Sequence, residues 1–166
     1  MSAPKIDGED LQTWVEQTTD GWRKLIATHP EALSLRCDIR GSRSVGELLH
    51  HIVVVELLFA ERLSGLPETP HESIPFNTAD PIFAAHDRAM SLLRELKPSH
   101  QEFWDEQIEH KMRKGGTMRV SRRDIFIHLL MHAIRHYAQL ATLVRQNGIS
   151  PDWQMDFLLL RARIIP

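Results

Sequence analysis

Residues that favour burial recur at the three- and four-residue spacing of a helix in four separate stretches. The first is Leu11, Trp14, Val15, Thr18, Trp22, Leu25 and Ile26, and His29-Pro30 stops it. Residues 30–43 keep no period and contain Pro30 and Gly41, which predicts a crossing loop. Ser44 with Glu47 three residues on makes a capping-box pattern, so a second helix opens there and runs to about Ser64, before Gly65 and Pro67. Pro67, Pro70, Pro75 and Pro81 then punctuate a long connection. Asp80 as N-cap and Pro81 at the first helical position predict a third helix, buried on Ile82, Phe83, His86, Met90, Leu93 and Leu96 and ending near Pro98.

Beyond a short helical turn expected over Ser99 to Gln107, the period changes. Ile108, His110 and Met112 alternate with charged residues as far as Gly115-Gly116, and Met118 and Val120 alternate after it, the pattern of a hairpin. Ser121, with Asp124 three residues on, caps a last helix that reaches Gly148. The expected fold is therefore all-α: an up-down four-helix bundle with a small hairpin before the last helix, in one domain over residues 1–166.

Composition narrows what such a bundle does. With 166 residues, 42% of them hydrophobic, the chain fills one core and not two. A formal charge of −2 gives no electrostatic footprint for nucleic acid. No apolar run approaches the roughly 18 residues of a membrane span, and Glu56 interrupts the run Ile52 to Val55. The single Cys37 has no partner for an internal disulfide, and Met1 to Leu11 lacks a basic start followed by an apolar core, so a cytoplasmic protein is expected.

The chemistry is concentrated in the last helix, where His128, His132 and His136 recur every four residues. Imidazoles one turn apart project from one side and close on one metal ion, whereas two turns separate His128 from His136 by about 12 Å. Only an adjacent pair chelates. Arg135, Gln139, Thr142 and Gln146 mark a polar stripe with His128 in its middle, His132 at its edge and His136 past it. His132 and His136 are thus the better ligands, and His128 is left as a solvated neighbour or an outer partner of theirs. In the second helix His51 falls at the margin of the apolar face, while His50 lies nearly opposite that face beside Glu61. His51 is the candidate third ligand. Glu56 projects into the apolar side, where a lone carboxylate needs a bond; it reads as an acceptor behind a ligand or a residue of a wet interface.

Two segments carry a family resemblance. Ser-Val-Gly-Glu-Leu-Leu-His-His-Ile-Val-Val-Val-Glu (Ser44 to Glu56) resembles the second-helix motif of the DinB-like, or YfiT-like, bundles. His-Leu-Leu-Met-His-Ala-Ile-Arg-His-Tyr-Ala-Gln-Leu-Ala-Thr-Leu-Val-Arg-Gln-Asn-Gly (His128 to Gly148) is similar to that family's last-helix signature. By position, the resemblance implies that His51, His132 and His136 are the metal ligands. It also implies a divalent transition metal such as zinc or nickel. In some members it implies transfer of a low-molecular-weight thiol (bacillithiol, mycothiol or glutathione) to an electrophile. Members often carry His-Arg-Gly-Gln at the third ligand; this chain has His136-Tyr137-Ala138-Gln139.

Two functional classes follow. One is a metal-dependent enzyme, a thiol S-transferase or a hydrolase, acting on a small electrophile; the other is a non-catalytic metal-binding bundle linked to stress or to a partner. For the enzyme, the basic cluster Lys111, Arg113, Lys114, Arg119, Arg122 and Arg123 is a candidate holder of an anionic thiol, with Arg119, Arg122 and Arg123 foremost. A solvated hairpin of mixed charge explains the same residues. No carboxylate follows His132 or His136 at i+3 or i+4, which argues against a di-iron site. Cys37 is a nucleophile candidate only by being the one thiol. Trp153, Phe157, Leu158, Leu159 and Leu160 form a segment too apolar for a free tail, and a homodimer is expected from it.

Overall fold

A computed structural model of the protein describes residues 8–97, 99–111 and 115–162, apart from the side chains of residues 160 and 161. Four long helices, α1 (Gly8–Thr28), α2 (Val45–Leu63), α3 (Ala79–Leu96) and α5 (Arg122–Gln146), form an all-α bundle. The short α4 (Gln101–Asp105) leads into a hairpin of β1 (Gln107–Lys111) and β2 (Thr117–Ser121), and a last short helix, α6 (Phe157–Arg161), follows α5. Pro98, Met112, Arg113 and Lys114 lie outside the described residues, as does the side chain of Leu160.

The helix starts follow their caps. Ser44 Oγ accepts from the Glu47 N–H at 3.1 Å and Ser121 Oγ from the Asp124 N–H at 3.0 Å, each satisfying a donor that a helix start leaves open. Glu47 reaches one residue further back than a capping box asks, to the Arg43 N–H at 2.7 Å. Helix α3 begins two residues earlier than Asp80-Pro81 suggests, with Thr78 as its N-cap. Pro81 then sits inside the first turn, where its missing N–H has no carbonyl to lose.

The closest packing joins α2 to α3 and α5, and α1 to α5 and α3, so α1 and α2 face each other across a diagonal. Ion pairs give the directions. Arg23–Asp87 at 2.6 Å and Arg94–Glu16 at 2.6 Å make α1 and α3 antiparallel. Glu56–His86 and Glu61–Arg88 advance together, so α2 and α3 are parallel. The Arg122 guanidinium donates to the Leu63 carbonyl while His51 meets His132, so α5 runs against α2. The order is up, down, down, up rather than strict alternation. The connection explains it: residues 64–78 can span about 50 Å extended, and the 19 residues of α2 measure only about 28 Å, so the chain returns along α2 before α3 begins.

That return covers the polar side of α2. Glu61, fully buried, accepts from the Thr69 N–H and hydroxyl at 2.7 Å each. His50 donates from Nε2 to the His71 carbonyl at 3.1 Å and packs on Phe76. At Gly46 the connection comes so close that a Cβ would stand 2.8 Å from the Phe76 carbonyl oxygen, so only glycine fits. The core proper, with Trp22, Phe83, Leu49, Ile52, Leu129 and Tyr137 fully enclosed, lies among the four long helices. No helix among the described residues is long and apolar enough to cross a membrane.

The apolar C-terminal segment divides in two. Trp153 lies on α1 where Gly21 leaves room, its ring 5.3 Å from that of Trp22. Trp14 donates from Nε1 to the Met155 carbonyl at 2.7 Å and meets Phe157 edge-on. Leu158 stays 74% exposed and Leu159 41%.

Candidate metal centre

Because α2 and α5 pack antiparallel, the second turn of α2 meets the middle of α5. That contact brings His51 to His132 and His136. The ligand nitrogens of all three lie within 4.8 Å of one another. His51 Nε2 and His132 Nε2 are 3.2 Å apart. Three imidazoles on a tetrahedral ion at the usual zinc–nitrogen length stand about 3.3 Å apart, so this pair already has the required separation and the third closes by a side-chain adjustment. His132 and His136 are buried and His51 half-buried. His132 Nδ1 is buried without a hydrogen-bond partner among the described residues, so the ring is not held by a network of its own. The donor set fits a divalent metal.

Electrostatics keeps these nitrogens free of protons. Burial, then the neighbouring His136, pushes His51 down to about 4. Burial, then His136 and His51, pushes His132 down to about 3. His136 is also lowered: burial outweighs a hydrogen bond with Gln139, and Arg135 and Arg40 add to it. All three are neutral near pH 7, the state a metal ligand requires. Gln139 Oε1 accepts from His136 Nδ1 at 2.7 Å, which fixes the tautomer and leaves the Nε2 lone pair for coordination.

The remaining candidates fall elsewhere. His128 is exposed, 5.9 Å ring to ring from His132 and edge-on to Phe59, outside the cluster of three. Glu56 is fully buried and one of its oxygens accepts from His86 Nδ1 at 2.7 Å, so its bonded partner is on α3 rather than a histidine of the cluster. Arg119 pairs with Glu109, Arg122 with Glu106 and Arg123 with Asp105, and Arg122 also covers the Phe103 ring. Ten residues of helix, about 15 Å of rise, separate Arg122 from His132, so these arginines pin the hairpin and α4 rather than line the histidines. Arg113 and Lys114 of the same cluster lie outside the described residues. Cys37 is buried, its Sγ accepts from the Ile39 N–H at 3.4 Å, and burial raises its thiol, which removes it as a nucleophile at neutral pH.

Two arginines at the site carried no separate signal in the sequence. Arg135 donates from Nη2 to His136 Nε2 at 3.1 Å. Arg40 acts electrostatically on both His51 and His136 from the loop before α2. Its backbone is left-handed (φ 60°), which costs a non-glycine residue about 1 kcal/mol. Arg135 reads as one more residue of a polar stripe, and Arg40 stands in a stretch without period, marked only by Gly41.

Fold and site together define a four-helix bundle with a three-histidine cluster able to hold a metal ion between its second and last long helices. The DinB family model matches residues 1–162, and the chain belongs to the DinB family. Comparison with curated proteins gives no match.

Proposed function

We propose that the protein is a metalloenzyme that holds one divalent transition metal ion, zinc or nickel, on His51, His132 and His136 and uses it to transfer a small thiol to an electrophile. The observation that carries this reading is a group of three neutral imidazoles with no fourth side-chain ligand among the described residues, the pattern of a site with an open position. A divalent ion there supplies Lewis acidity, lowering the pKa of a thiol or of water at that position. The chain does the rest. Burial holds His51 and His132 unprotonated, and Gln139 sets the His136 tautomer. The lone, buried Cys37 supports a reducing, cytoplasmic setting, where a small thiol is available as a reactant.

Calorimetry of metal-loaded and metal-free protein against bacillithiol, mycothiol, glutathione and cysteine tests cofactor and metal together. The expected result is tighter binding of at least one thiol to the loaded form. Equal or absent binding in both forms with all four thiols would favour the non-catalytic metal-binding bundle, and hydrolysis of an electrophile without thiol would favour a hydrolase.

A further inference from the structure

Both ring nitrogens of His136 are engaged, and on different terms. Nδ1 carries the proton and donates to Gln139 Oε1 at 2.7 Å, which leaves Nε2 as a lone pair, and that lone pair accepts from Arg135 Nη2 at 3.1 Å. Packing does not force the second contact. Consecutive positions on a helix point about 100° apart, so neighbouring side chains do not face each other. Arg135 is exposed, and its guanidinium meets the buried His136 ring by folding back along α5 rather than extending into solvent. The other two ligand nitrogens meet each other: His51 Nε2 and His132 Nε2 lie 3.2 Å apart, a hydrogen bond between two imidazoles. Arg135 is thus the cation in hydrogen-bond contact with the cluster, and it sits on the lone pair that a metal ion needs.

We propose that Arg135 is a displaceable latch on the metal site: its guanidinium holds the His136 Nε2 lone pair until a divalent ion takes it, and by competing for that lone pair it keeps the ion exchangeable. The proposal rests on the metal reading above and concerns how that site takes up and releases its ion. One lone pair serves one partner at a time, so the guanidinium and the ion exclude each other at Nε2. Coordination forms the bond from nitrogen to the ion and breaks the N–H···N hydrogen bond; the guanidinium keeps its proton, so this ring releases none. Two effects oppose each other. The contact helps to orient the ring, which favours the ion, but the 2.7 Å bond to Gln139 on the opposite nitrogen orients it without Arg135. What remains is the lost charge-assisted bond and the repulsion between guanidinium and ion, and both act against the ion. Competition therefore outweighs orientation. As an ion leaves, the guanidinium, tethered one residue away, refills the lone pair and favours release.

Zinc binding to the full chain, measured by competition with a chromophoric chelator, tests the latch. Arg135→Ala and Arg135→Gln both put a good helix former at an exposed position, and urea midpoints of the metal-free variants check that the fold is kept. Each should bind zinc about tenfold tighter than wild type, the worth of one hydrogen bond to a charged group, and release it correspondingly more slowly to excess chelator. A merely structural arginine would weaken binding when lost. Arg145→Ala removes the same charge from the same helix, about 15 Å further along, and should leave zinc affinity unchanged. Nitrogen-15 spectra of the arginine side chains give a second readout. The Arg135 signal, assigned by its loss in Arg135→Gln, should be that of an ordered guanidinium in metal-free protein and of a freely rotating one once zinc is added. Unchanged or weaker zinc affinity in both Arg135 variants, an equal gain in Arg145→Ala, or an Arg135 signal that zinc does not move overturns the latch and leaves the metal reading standing. Wild type that takes up no zinc overturns the metal reading and the latch with it.

Discussion

At the scale of single residues, deletion of one imidazole separates the cluster from its neighbours. His132→Ala is expected to fall from about one metal per chain to near none by elemental analysis after dialysis, because two remaining nitrogens cannot complete a three-histidine site. His128→Ala should keep its metal, since that ring stands outside the group whose nitrogens lie within 4.8 Å. Gln139→Ala should keep the site and weaken it, by about 10- to 100-fold in metal affinity, because it frees the ring that the 2.7 Å bond orients. The same histidines set a pH dependence. Unfolded imidazoles take up protons near 6.5, whereas in the folded metal-free chain His51 and His132 do so only near about 4 and about 3. Between those limits the unfolded state binds more protons, so this contribution is full above about pH 6.5 and is lost as pH falls toward 3. Urea midpoints of metal-free wild type should drop over that range, more steeply than those of a His51→Gln, His132→Gln variant. The three histidines were legible because i, i+4 spacing and helix-edge placement are both written in the sequence. Arg40 was not, because a loop without period gives no projection from which to read where its side chain goes.

At the scale of elements, the Glu56–His86 pair ties the parallel helices α2 and α3 through the core. Both side chains are enclosed, at 0% and 3% exposure. Burial tends to lower His86, but the touching Glu56 carboxylate outweighs it and the imidazole is raised, so His86 keeps its proton to higher pH than a free imidazole. His86→Ala leaves a buried carboxylate without its partner and should cost about 3–5 kcal/mol by urea unfolding, while the metal site on α2 and α5 keeps its three nitrogens. This contribution has the opposite pH sign: it is full below about 6.5 and fades as pH rises through the raised folded value. Helix periods and caps at Ser44 and Ser121 located α2 and α5 closely, since a hydroxyl three residues before an acid is a local signal. Partners across elements are not local. Glu109 stands opposite Arg119 in the hairpin register, but that register is not centred on Gly115-Gly116: a two-residue turn there would set Glu109 against Arg122, so even this pair needed the fold. Glu106 and Asp105, which hold Arg122 and Arg123, come from the end of α4 and needed the tertiary fold.

At the scale of the whole molecule, the parallel α2 and α3 were not legible either. A proline-rich connection announces its length, but direction depends on whether that length is used to return along a helix. The return covers His50 and Glu61, which helical projection alone places on an outer face. The docked tail alters the argument for association in the same way. Trp153 and Phe157 are taken up by α1 of their own chain, so the expected homodimer now depends on what remains outside. Leu158 and Leu159 are exposed beside the docked tail, and Ile127 and Met131, one turn apart on α5, are 40% and 48% exposed. Met131 is turned about 100° from His132 around the helix and Ile127 about 140°, so a second copy seated there would leave the histidine site open. A cavity of about 650 Å³ between α1, α4 and α5, lined in part by Leu11, Trp104 and Phe126, adjoins those two residues and offers a place for an apolar side chain from the partner. Light scattering at micromolar concentration should give twice the 19.2 kDa chain mass, and Met131→Glu with Leu158→Glu should return it to one chain without loss of bound metal. A wild-type monomer at that concentration would show that the exposed leucines and Met131 are surface residues only, and the three-histidine site would then belong to a single chain.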